Sequence, residues 1–453
     1  MVGDREISPV ELAEAHLRQI AAQNPRINAF VTVLEDEVRA EAREREAAVV
    51  RGEPLGLLHG VPVTVKDSFD MAGLPTLAGS RFRLGLRAAA DSTAVARLRA
   101  EGAVILGKTN LPEFLTTYES DNYITCRTNN PWNLDRTAGG SSGGESAAIA
   151  AFCSAGGIGS DGGGSIRIPA HFTGIAGLKP TPGRVSAAGH VPAICHPGGL
   201  LGVAGPMARN ATDLRLLFSA LAGYDSQDPF SAPVPLRPPV LEDIRAGVME
   251  QWYDVPVNEE IRAAVRKAAE TLEQIHIPVA EFRPRGMERV PNLWWFFFGQ
   301  VNAPELRKMI AGREHDAFRT LREFLDDAAR KPVPGGEEVL TMLAARDRLR
   351  AAFLRQMEEF PVLLTPPCGI TAFPHGARRY HVADRDIGLF QAMMPSTFAN
   401  LFGLPALVIP FGMSREGLPL GIQLVGRPYE EELLLEVAVR LEEVRGAFPG
   451  PPL

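Results

Sequence analysis

The chain has 453 residues, of which 45% are hydrophobic and 22% are charged, so it is long enough to bury a large core. Its net charge of −7 argues against nucleic acid or an anionic membrane as the main partner. The sequence has no apolar run of 18 residues, and residues 1–20 are charged and amphipathic. We therefore expect no membrane span, no signal peptide and a cytoplasmic location.

Cysteine and histidine spacing gives no sign of a metal site. The chain has four cysteines, Cys126, Cys153, Cys195 and Cys368. None of them forms a CxxC pair, so they are interpreted as buried or free thiols of a reducing compartment. His190 and His196 do not have the spacing of a helical metal pair, and we expect no metal there.

The first hundred residues alternate between helical and strand patterns. Residues 7–50 are predicted to be helical, beginning with a capping box formed by Ser8 and Glu11. Residues 91–102 form the next predicted helix and residues 103–106 a short apolar strand. This alternation indicates an α/β layer architecture. Length alone suggests two or three domains, although larger single domains occur.

A short strand ends at Lys66. Val61, Val63 and Val65 alternate with polar residues, which predicts a strand buried on at least one face. An amine at the end of such a strand would be partly desolvated, and desolvation lowers a lysine pKa. A neutral lysine can act as a general base. The alternative interpretation is a solvated pair of Lys66 and Asp67 at the strand end.

Two glycine- and serine-rich segments bracket an alanine-rich run that is predicted to be a buried helix. We call residues 139–144 the first serine loop and residues 161–165 the second serine loop. Neither has the lysine of a phosphate-binding loop, and a dinucleotide fingerprint is matched only loosely. Consecutive backbone N–H groups before Ser165 suit acyl transfer, in which a serine attacks a carbonyl and N–H groups hold the oxyanion.

A nucleophilic serine needs a base. His171 is the nearest histidine in sequence, but no carboxylate is placed to orient it, and the G-x-S-x-G elbow is absent around Ser165. A Ser-His-Asp triad is therefore disfavoured, and Lys66 is the better candidate.

Four ordered motifs, VPVTVKD, GGSSGG, GSDGGGSIRIPA and GLKPTPGRVS, resemble those of the amidase signature family. The resemblance extends from ISPVELAEAHLRQI to LPLGIQLVGRP and leaves only residues 230–360 without recognisable family sequence. It implies one α/β domain over residues 1–453, with a mixed sheet of about eleven strands covered by helices on both faces. Two domains are the alternative.

The resemblance also implies catalytic roles. Lys66 would be the general base, Ser141 a bridging serine preceded by a cis peptide bond, and Ser165 the nucleophile that becomes acylated. Lys66 would take a proton from Ser141, and Ser141 one from Ser165. No metal, nucleotide or other cofactor is implied.

The second serine loop supplies the implied oxyanion hole. Its expected donors are the backbone N–H groups of Gly162, Gly163 and Gly164, together with that of Ser165. The expected supporting residues are Ser142, Asp161 and Arg167. Asp161 and Arg167 resemble a buried pair that fixes the loop, with an ordinary surface pair as the alternative. The family usually has threonine or a similar residue at position 162, so glycine there is expected to loosen the loop or admit a bulkier acyl group.

Aromatic residues mark two other segments. Residues 113–136 form a predicted loop whose Tyr118, Tyr123 and Trp132 line the site or pack within the loop. Residues 294–298 are the densest aromatic cluster and lie in the variable region, residues 230–360, which we expect to select the substrate. The alternative is that these rings belong to the core.

The remaining predicted elements follow hydrophobic periodicity. Helices are expected at 258–274, 307–330, 337–360, 396–404 and 430–444, and strands at 275–282, 362–365, 406–410 and 421–425.

The predicted function is a serine hydrolase of carbon–nitrogen acyl bonds. Amides are the default substrates, and carbamates (urethanes) and esters are chemically adjacent because they share a tetrahedral intermediate. The expected partner is a hydrophobic or aromatic small molecule, with no nucleic acid and no membrane, and the protein is expected to be a monomer or homodimer. One alternative is the glutaminase subunit of a tRNA-dependent amidotransferase, which needs a partner subunit. Another is an inactive binding homologue, although Lys66, Ser141 and Ser165 are all present.

Overall fold

The computed structural model describes residues 2–193 and 199–453. Its strands are β1 (Phe30–Val33), β2 (Pro62–Lys66), β3 (Val104–Thr109), β4 (Asn129–Asn130), β5 (Asn133–Thr137), β6 (Gly156–Asp161), β7 (Ala176–Lys179), β8 (Val203–Ala208), β9 (Ala246–Val248), β10 (Val279–Glu281), β11 (Val362–Thr365), β12 (Arg379–Val382), β13 (Arg385–Gly388), β14 (Ala406–Met413) and β15 (Pro419–Gly426). Eleven of them form one mixed sheet in the spatial order β1-β3-β2-β6-β8-β7-β14-β15-β11-β9-β10. The predicted single α/β domain is therefore confirmed.

Helices cover both faces of this sheet. They are α1 (Pro9–Ile27), α2 (Glu35–Arg51), α3 (Thr93–Ala100), α4 (Gly143–Ala150), α5 (Arg167–Thr173), α6 (Ala211–Leu221), α7 (Glu259–Gln274), α8 (Val290–Trp295), α9 (Ala303–Ile310), α10 (Arg319–Ala328), α11 (Gly336–Gln356), α12 (Leu389–Ala392), α13 (Met394–Leu401) and α14 (Glu431–Arg445). Helices α3, α6, α14 and α7 contact one another in that order, and α4 contacts α1 and α5.

Strand β6 shows that these two groups of helices lie on opposite faces, because successive strand residues point to opposite sides. A Cβ added to Gly156 would lie 2.6 Å from the side chain of Leu217 in α6. A Cβ added to the next residue, Gly157, would lie 2.0 Å from the carboxylate of Glu145 in α4. Glycine at these positions lets both helices approach the strand closely.

Parallel pairing explains the burial of β2. It pairs in parallel with β3 on one side and β6 on the other, and all five of its residues are buried. A parallel strand covered on both faces buries its polar residues together with its apolar ones. Thr64 and Lys66 therefore lie in the interior, and the strand that was predicted to be buried on at least one face is buried on both.

For the N-terminal segment, the predicted helix start is confirmed, but the prediction of continuous helix over residues 7–50 is wrong. The capping box is present, since Ser8 Oγ accepts the Glu11 N–H at 3.1 Å and Glu11 Oε2 accepts the Ser8 N–H at 3.0 Å. The helical stretch predicted over 7–50 is interrupted by β1, which pairs with β3 at the edge of the sheet. Asn28 ends α1 in a left-handed conformation.

Three further predictions needed correction. The helix predicted over 307–330 is two helices, α9 and α10, separated at Gly312 with φ +78°. The strand predicted over 275–282 is only the three-residue β10, at the edge of the sheet. The polar segment 113–136, predicted as loop, contains β4 and the start of β5, which pair as a short hairpin.

Three of the four cysteines lie in the described part of the chain. Cys126 is exposed and Cys153 and Cys368 are buried, and all three are free thiols. Cys195 and His196 lie outside the described residues. Within residues 2–193 and 199–453, no helix has both the length and the apolar character needed to cross a bilayer.

Candidate active site

Lys66 lies fully buried at the end of β2, against the first serine loop. Its Nζ is 2.7 Å from Ser141 Oγ, 2.9 Å from Ser142 Oγ and 3.0 Å from Ser160 Oγ. Burial holds the pKa of Lys66 well below its ordinary value, against the opposing attraction of Asp161 and other nearby carboxylates. The alternative of a solvated Lys66–Asp67 pair is wrong.

Asp67 has a different partner. Its carboxylate Oδ1 is 2.7 Å from Lys108 Nζ, and both side chains are almost fully buried. Lys108 is on β3, the neighbouring strand, so the two lysines of this layer differ in their surroundings: Lys108 is paired with a carboxylate, whereas Lys66 faces hydroxyl groups.

The first serine loop reaches Lys66 at the start of α4. The Gly140–Ser141 peptide bond is cis, as the family resemblance implies. A Cβ on Gly140 would lie 2.7 Å from the backbone nitrogen of Glu119, so a larger residue there would collide with main chain. The Ser142 N–H donates to the carbonyl oxygen of Ser165 at 3.1 Å, which joins the two serine loops directly.

Ser165 closes the second serine loop and is 7% exposed. It lines one cavity together with Ser141 and Ser160. Among the described residues, no hydrogen bond joins Ser165 Oγ to Ser141 Oγ, so the structure shows the Lys66–Ser141 contact of the predicted relay but not its last link. Catalytic hydrogen bonds are often long before substrate binds and tighten in the reactive complex.

The free N–H groups of the second serine loop differ from the predicted set. The Gly164 N–H donates to Asp161 Oδ1 at 2.7 Å, so it is engaged and unavailable to an oxyanion. Among the described residues, the N–H groups of Gly162, Gly163 and Ser165 have no acceptor. The prediction included Gly164 because a glycine run gives no indication of which amides a neighbouring carboxylate will bind.

A buried ion pair supports this loop. Arg167 Nη2 donates to Asp161 Oδ1 at 2.9 Å, and both side chains are fully buried, so the surface-pair alternative is wrong. Burial raises the pKa of Asp161, but Arg167 outweighs it and holds that pKa below its ordinary value. Arg167 also donates to Gln423 Oε1, and Asn400 Nδ2 donates to Asp161 Oδ1.

Sequence reasoning missed a buried carboxyl group behind Lys66. Glu145 of α4 is fully buried, and its two oxygens accept from Thr64 Oγ1 at 2.5 Å and Thr109 Oγ1 at 2.7 Å. Burial raises the pKa of Glu145 to about 7. The available signal was a single acidic residue in an otherwise small and apolar helix.

Of the three aromatic residues predicted in the 113–136 segment, one reaches the site. Tyr118 is buried and its OH donates to the Gly163 carbonyl at 2.8 Å. Tyr123 is 40% exposed, and Trp132 donates to the Thr173 carbonyl; neither lines the cavity.

The variable region also reaches the cavity. Phe298 lines it, whereas Phe296 and Phe297 are packed in the core. A Cβ on Gly162 would lie 3.3 Å from Phe298, so this ring occupies the space into which a side chain at position 162 would extend.

The cavity wall is mostly uncharged. Its apolar lining consists of Phe114, Leu115, Ala187, Pro192, Val203 and Phe298. None of its described lining residues is a lysine or arginine. Asp161 is also among the lining residues, but its carboxylate is fully buried and paired with Arg167.

Among the described residues, neither His171 nor His190 forms a hydrogen bond with Ser165 or with a carboxylate. His171 Nδ1 accepts the Gly421 N–H at 2.7 Å, and its Nε2 is 3.2 Å from the Ile370 carbonyl, away from the cavity. His190 lines the cavity, with Nδ1 2.9 Å from the Pro192 carbonyl, and burial lowers its pKa to about 4. A low pKa keeps this ring neutral at physiological pH.

Comparison with known proteins points to one family. Residues 11–435 match the family model described as Amidase. A glutamyl-tRNA(Gln) amidotransferase subunit from Anaeromyxobacter sp. (strain K) is 36% identical over 481 residues, covering 100% of this chain and 96% of the relative. The corresponding protein of Cyanothece sp. is 32% identical, covering 97% of this chain and 95% of the relative.

Solved structures agree in fold. A structure from work on a vestigial protein complex and the origins of an s-triazine catabolic enzyme has a TM-score of 0.91 at 30% identity, covering 98% of this chain and 96% of that one. A bacterial aryl acylamidase of the amidase signature family has a TM-score of 0.84 at 29% identity, covering 98% of this chain and 94% of that one.

The names of the curated relatives agree better with the amidotransferase alternative than with the main sequence prediction. They refer to a tRNA and to one component of an assembly, whereas the sequence predicted no nucleic acid and a monomer or homodimer.

Proposed function

Because the chain belongs to the amidase signature family, whose members are amide hydrolases and amidotransferases, we propose that it cleaves carbon–nitrogen acyl bonds through an acyl-enzyme on Ser165. Neutral Lys66 accepts the Ser141 proton while Ser141 accepts that of Ser165, and Ser165 Oγ bonds to the substrate carbonyl carbon. The proton returns through Ser141 to the leaving amine as the carbon–nitrogen bond breaks. Water then attacks the ester and releases the acid, restoring the Ser165 hydroxyl.

The observation that carries this proposal is the position of the Lys66 amine. It is fully buried and lies 2.7 Å from the hydroxyl of Ser141, a residue that lines the same cavity as Ser165. A buried amine facing hydroxyl groups rather than a carboxylate is suited to gain a proton during the reaction.

Free backbone donors beside the nucleophile support the same chemistry. We assign the oxyanion site to the N–H groups of Gly162, Gly163 and Ser165, which removes Gly164 from the predicted donors. Donors fixed before the reaction stabilise the charge that develops on the carbonyl oxygen without having to reorganise.

The cavity favours an uncharged substrate. Its lining is mainly apolar, with Phe298 from the variable region and no cation among its described residues. Aryl amides fit such a wall, and carbamates, urethanes and esters pass through the same type of tetrahedral intermediate. The variable region, residues 230–360, is proposed to select the substrate.

The second candidate is the glutaminase subunit of an amidotransferase, which the names of the curated relatives favour. Free glutamine carries an α-carboxylate, and the described cavity lining offers no cation to bind it. This function would require a partner subunit, together with a tRNA in the complex. Glutamine hydrolysis that appears only on adding such a partner would support it over the first candidate.

Fluorophosphonate labelling and a substrate panel test the proposal. We expect labelling at Ser165 and turnover of at least one aryl anilide or aryl carbamate in a panel with primary amides and esters. Ser165→Ala should abolish labelling and lower kcat by at least about 10³-fold. The matched control is Ser146→Ala, because Ser146 is a buried serine of α4 that does not contact Lys66. This variant should keep both the labelling and the wild-type kcat.

Equal turnover by Ser165→Ala and wild type would refute the assignment of the nucleophile. Failure of the wild-type protein to label would favour the inactive binding homologue.

A further inference from the structure

Two aromatic side chains hold the backbone of the second serine loop. Trp294 Nε1 donates to the Gly162 carbonyl oxygen at 3.0 Å, and the Tyr118 OH donates to the Gly163 carbonyl oxygen at 2.8 Å. Trp294 is 0% exposed and Tyr118 is 3% exposed, so both donor side chains are shielded from water. Both contacts join the loop to distant segments of the chain.

The bond from Trp294 determines where one free N–H group points. The peptide unit between Gly162 and Gly163 is planar and trans, so its N–H points away from its C=O. Trp294 holds the oxygen side of this unit, and the Gly163 N–H on the other side has no acceptor among the described residues. The direction of this donor therefore depends on the indole.

The next peptide unit is held on both sides. Its carbonyl oxygen, from Gly163, accepts from Tyr118, and its N–H, from Gly164, donates to Asp161. Rotation of this unit would break two hydrogen bonds, whereas rotation of the preceding unit is opposed by Trp294 alone. Among the described residues, Trp294 is thus the single side chain that holds the Gly162–Gly163 peptide unit, which carries the free Gly163 N–H.

Close packing supports the hydrogen bonds. A Cβ on Gly163 would lie 2.4 Å from Cζ2 of Trp294 and 3.0 Å from the Tyr118 hydroxyl. The backbone of the loop lies directly against both side chains, and any larger residue at this position would push the loop away from them.

Trp294 also connects the loop to the substrate side of the cavity. Its ring stacks on Phe298 with centroids 4.6 Å apart and an interplanar angle of 15°. Phe298 lines the cavity, and both rings belong to the variable region. A substrate group that packs on Phe298 therefore contacts the stack that positions the Gly162 carbonyl.

We propose that Trp294 is a positioning residue that aims the Gly163 N–H at the oxyanion and links this donor to the aromatic wall that contacts the substrate. This inference rests on the proposed function, since it assumes that Ser165 is the nucleophile. Trp294 forms no bond to the reacting atoms.

Trp294→Phe removes the indole N–H and keeps an aromatic ring. Trp295→Phe is the matched control, because Trp295 is the adjacent residue, is half-buried, and makes no hydrogen bond through its indole N–H among the described residues. We expect Trp294→Phe to lower kcat by about 10- to 100-fold, less than the loss of an entire oxyanion donor, with KM within about twofold. Both constants of Trp295→Phe should stay within about twofold of wild type.

Two measurements separate positioning from a general loss of structure. Fluorophosphonate labelling at Ser165 should slow in Trp294→Phe by a factor similar to that in kcat, and amide hydrogen exchange of a peptide spanning the second serine loop should accelerate. Tyr118→Phe loses one hydroxyl and little volume. It should also slow labelling at Ser165 and accelerate hydrogen exchange of the loop peptide.

The outcomes are distinguishable. If wild-type protein does not label at Ser165, the proposed function fails and the catalytic role of Trp294 fails with it. If wild type labels and turns over but Trp294→Phe matches Trp295→Phe in kcat, labelling and exchange, only the positioning role is overturned.

Discussion

At the scale of single residues, the pKa of Lys66 is set by two opposing effects, burial of the amine and the charge of nearby carboxylates. Burial favours the neutral amine, whereas Asp161 and Glu145 favour the ammonium form. Asp161 is neutralised by Arg167, but Glu145 accepts only from two threonine hydroxyls. The charge of the Glu145 carboxyl group can therefore change by protonation, and this change affects Lys66.

Replacing Glu145 by glutamine tests this balance. The ionised carboxylate raises the pKa of Lys66, so removing its charge should lower that pKa further and move the acidic limb of the kcat/KM profile to lower pH. Glu113→Gln changes a buried carboxyl group that binds Ser80 and the Phe318 N–H instead, and should leave the limb in place. An acidic limb that stays fixed or moves to higher pH in Glu145→Gln would contradict the prediction.

The motifs could indicate Lys66, Ser141 and Ser165 as candidate site residues because each lies in a long stretch of local sequence. Glu145 could not be assigned in this way, since its partners Thr64 and Thr109 become neighbours only when β2 pairs with β3. The same holds for the engaged Gly164 amide, which depends on the orientation of a side chain rather than on composition.

At the scale of elements, the segment between β6 and α5 depends on a buried ion pair. Arg167→Met would leave the Asp161 carboxylate without its main partner in the interior, which typically costs about 3–5 kcal/mol of unfolding free energy. Urea unfolding measures this change. Arg415→Met, at a side chain that is 97% exposed, should change stability by less than about 0.5 kcal/mol. Equal stability of the two variants would show that the pair contributes little.

The helical segment that carries Phe298 is predicted to set substrate preference. Phe298→Ala removes an aromatic wall of the cavity, so kcat/KM for aryl substrates should fall by about tenfold relative to small alkyl amides. The alkyl amides act as the internal control, because loss of the fold would lower both classes together. A constant ratio would place substrate selection elsewhere.

Element boundaries followed the hydrophobic pattern where one face is exposed. Helix α7, Glu259–Gln274, was predicted to within one residue, since its apolar stripe is regular. Strand β1 was missed because it is four residues long and connects two helices with a single residue between it and α2. Its pairing with β3 is a long-range contact that no local pattern reports.

At the scale of the whole molecule, His171 joins segments that are distant in sequence. Its ring contacts the Gly421 N–H at the sheet and the Ile370 carbonyl in a loop. Burial lowers its pKa from the ordinary 6.5 to about 4. Between about pH 6.5 and pH 4, His171 therefore stays neutral in the folded state, whereas it is protonated in the unfolded chain.

The free energy of unfolding should therefore decrease as the pH is lowered through a defined window. The contribution of neutral His171 is fully present above about pH 6.5 and is lost as the pH falls to about 4, by about 3 kcal/mol at most. Urea unfolding of His171→Gln should show a shallower dependence on pH across this window, with lower stability at pH 7.5. His381→Gln, at an exposed ring paired with Asp386, should retain the wild-type slope.

The strand number of the sheet followed from the family resemblance, but the spatial order did not follow from local pattern. Strands β14 and β15, the last in the chain, lie between β7 and β11 in the middle of the sheet. Their positions depend on pairing with β7 and β11, which are distant in sequence, and no local pattern reports such pairing.

One contact of the second serine loop constrains how the protein is made. The proposed nucleophile, relay and base lie between residues 66 and 165, yet Arg167 donates hydrogen bonds to Asn400 and Gln423. A nascent chain on the ribosome thus carries every reacting group long before it has the residues that hold them in place. Hydrolysis should begin only after Asn400 and Gln423 have been synthesised, and fragments that end before Asn400 should remain inert.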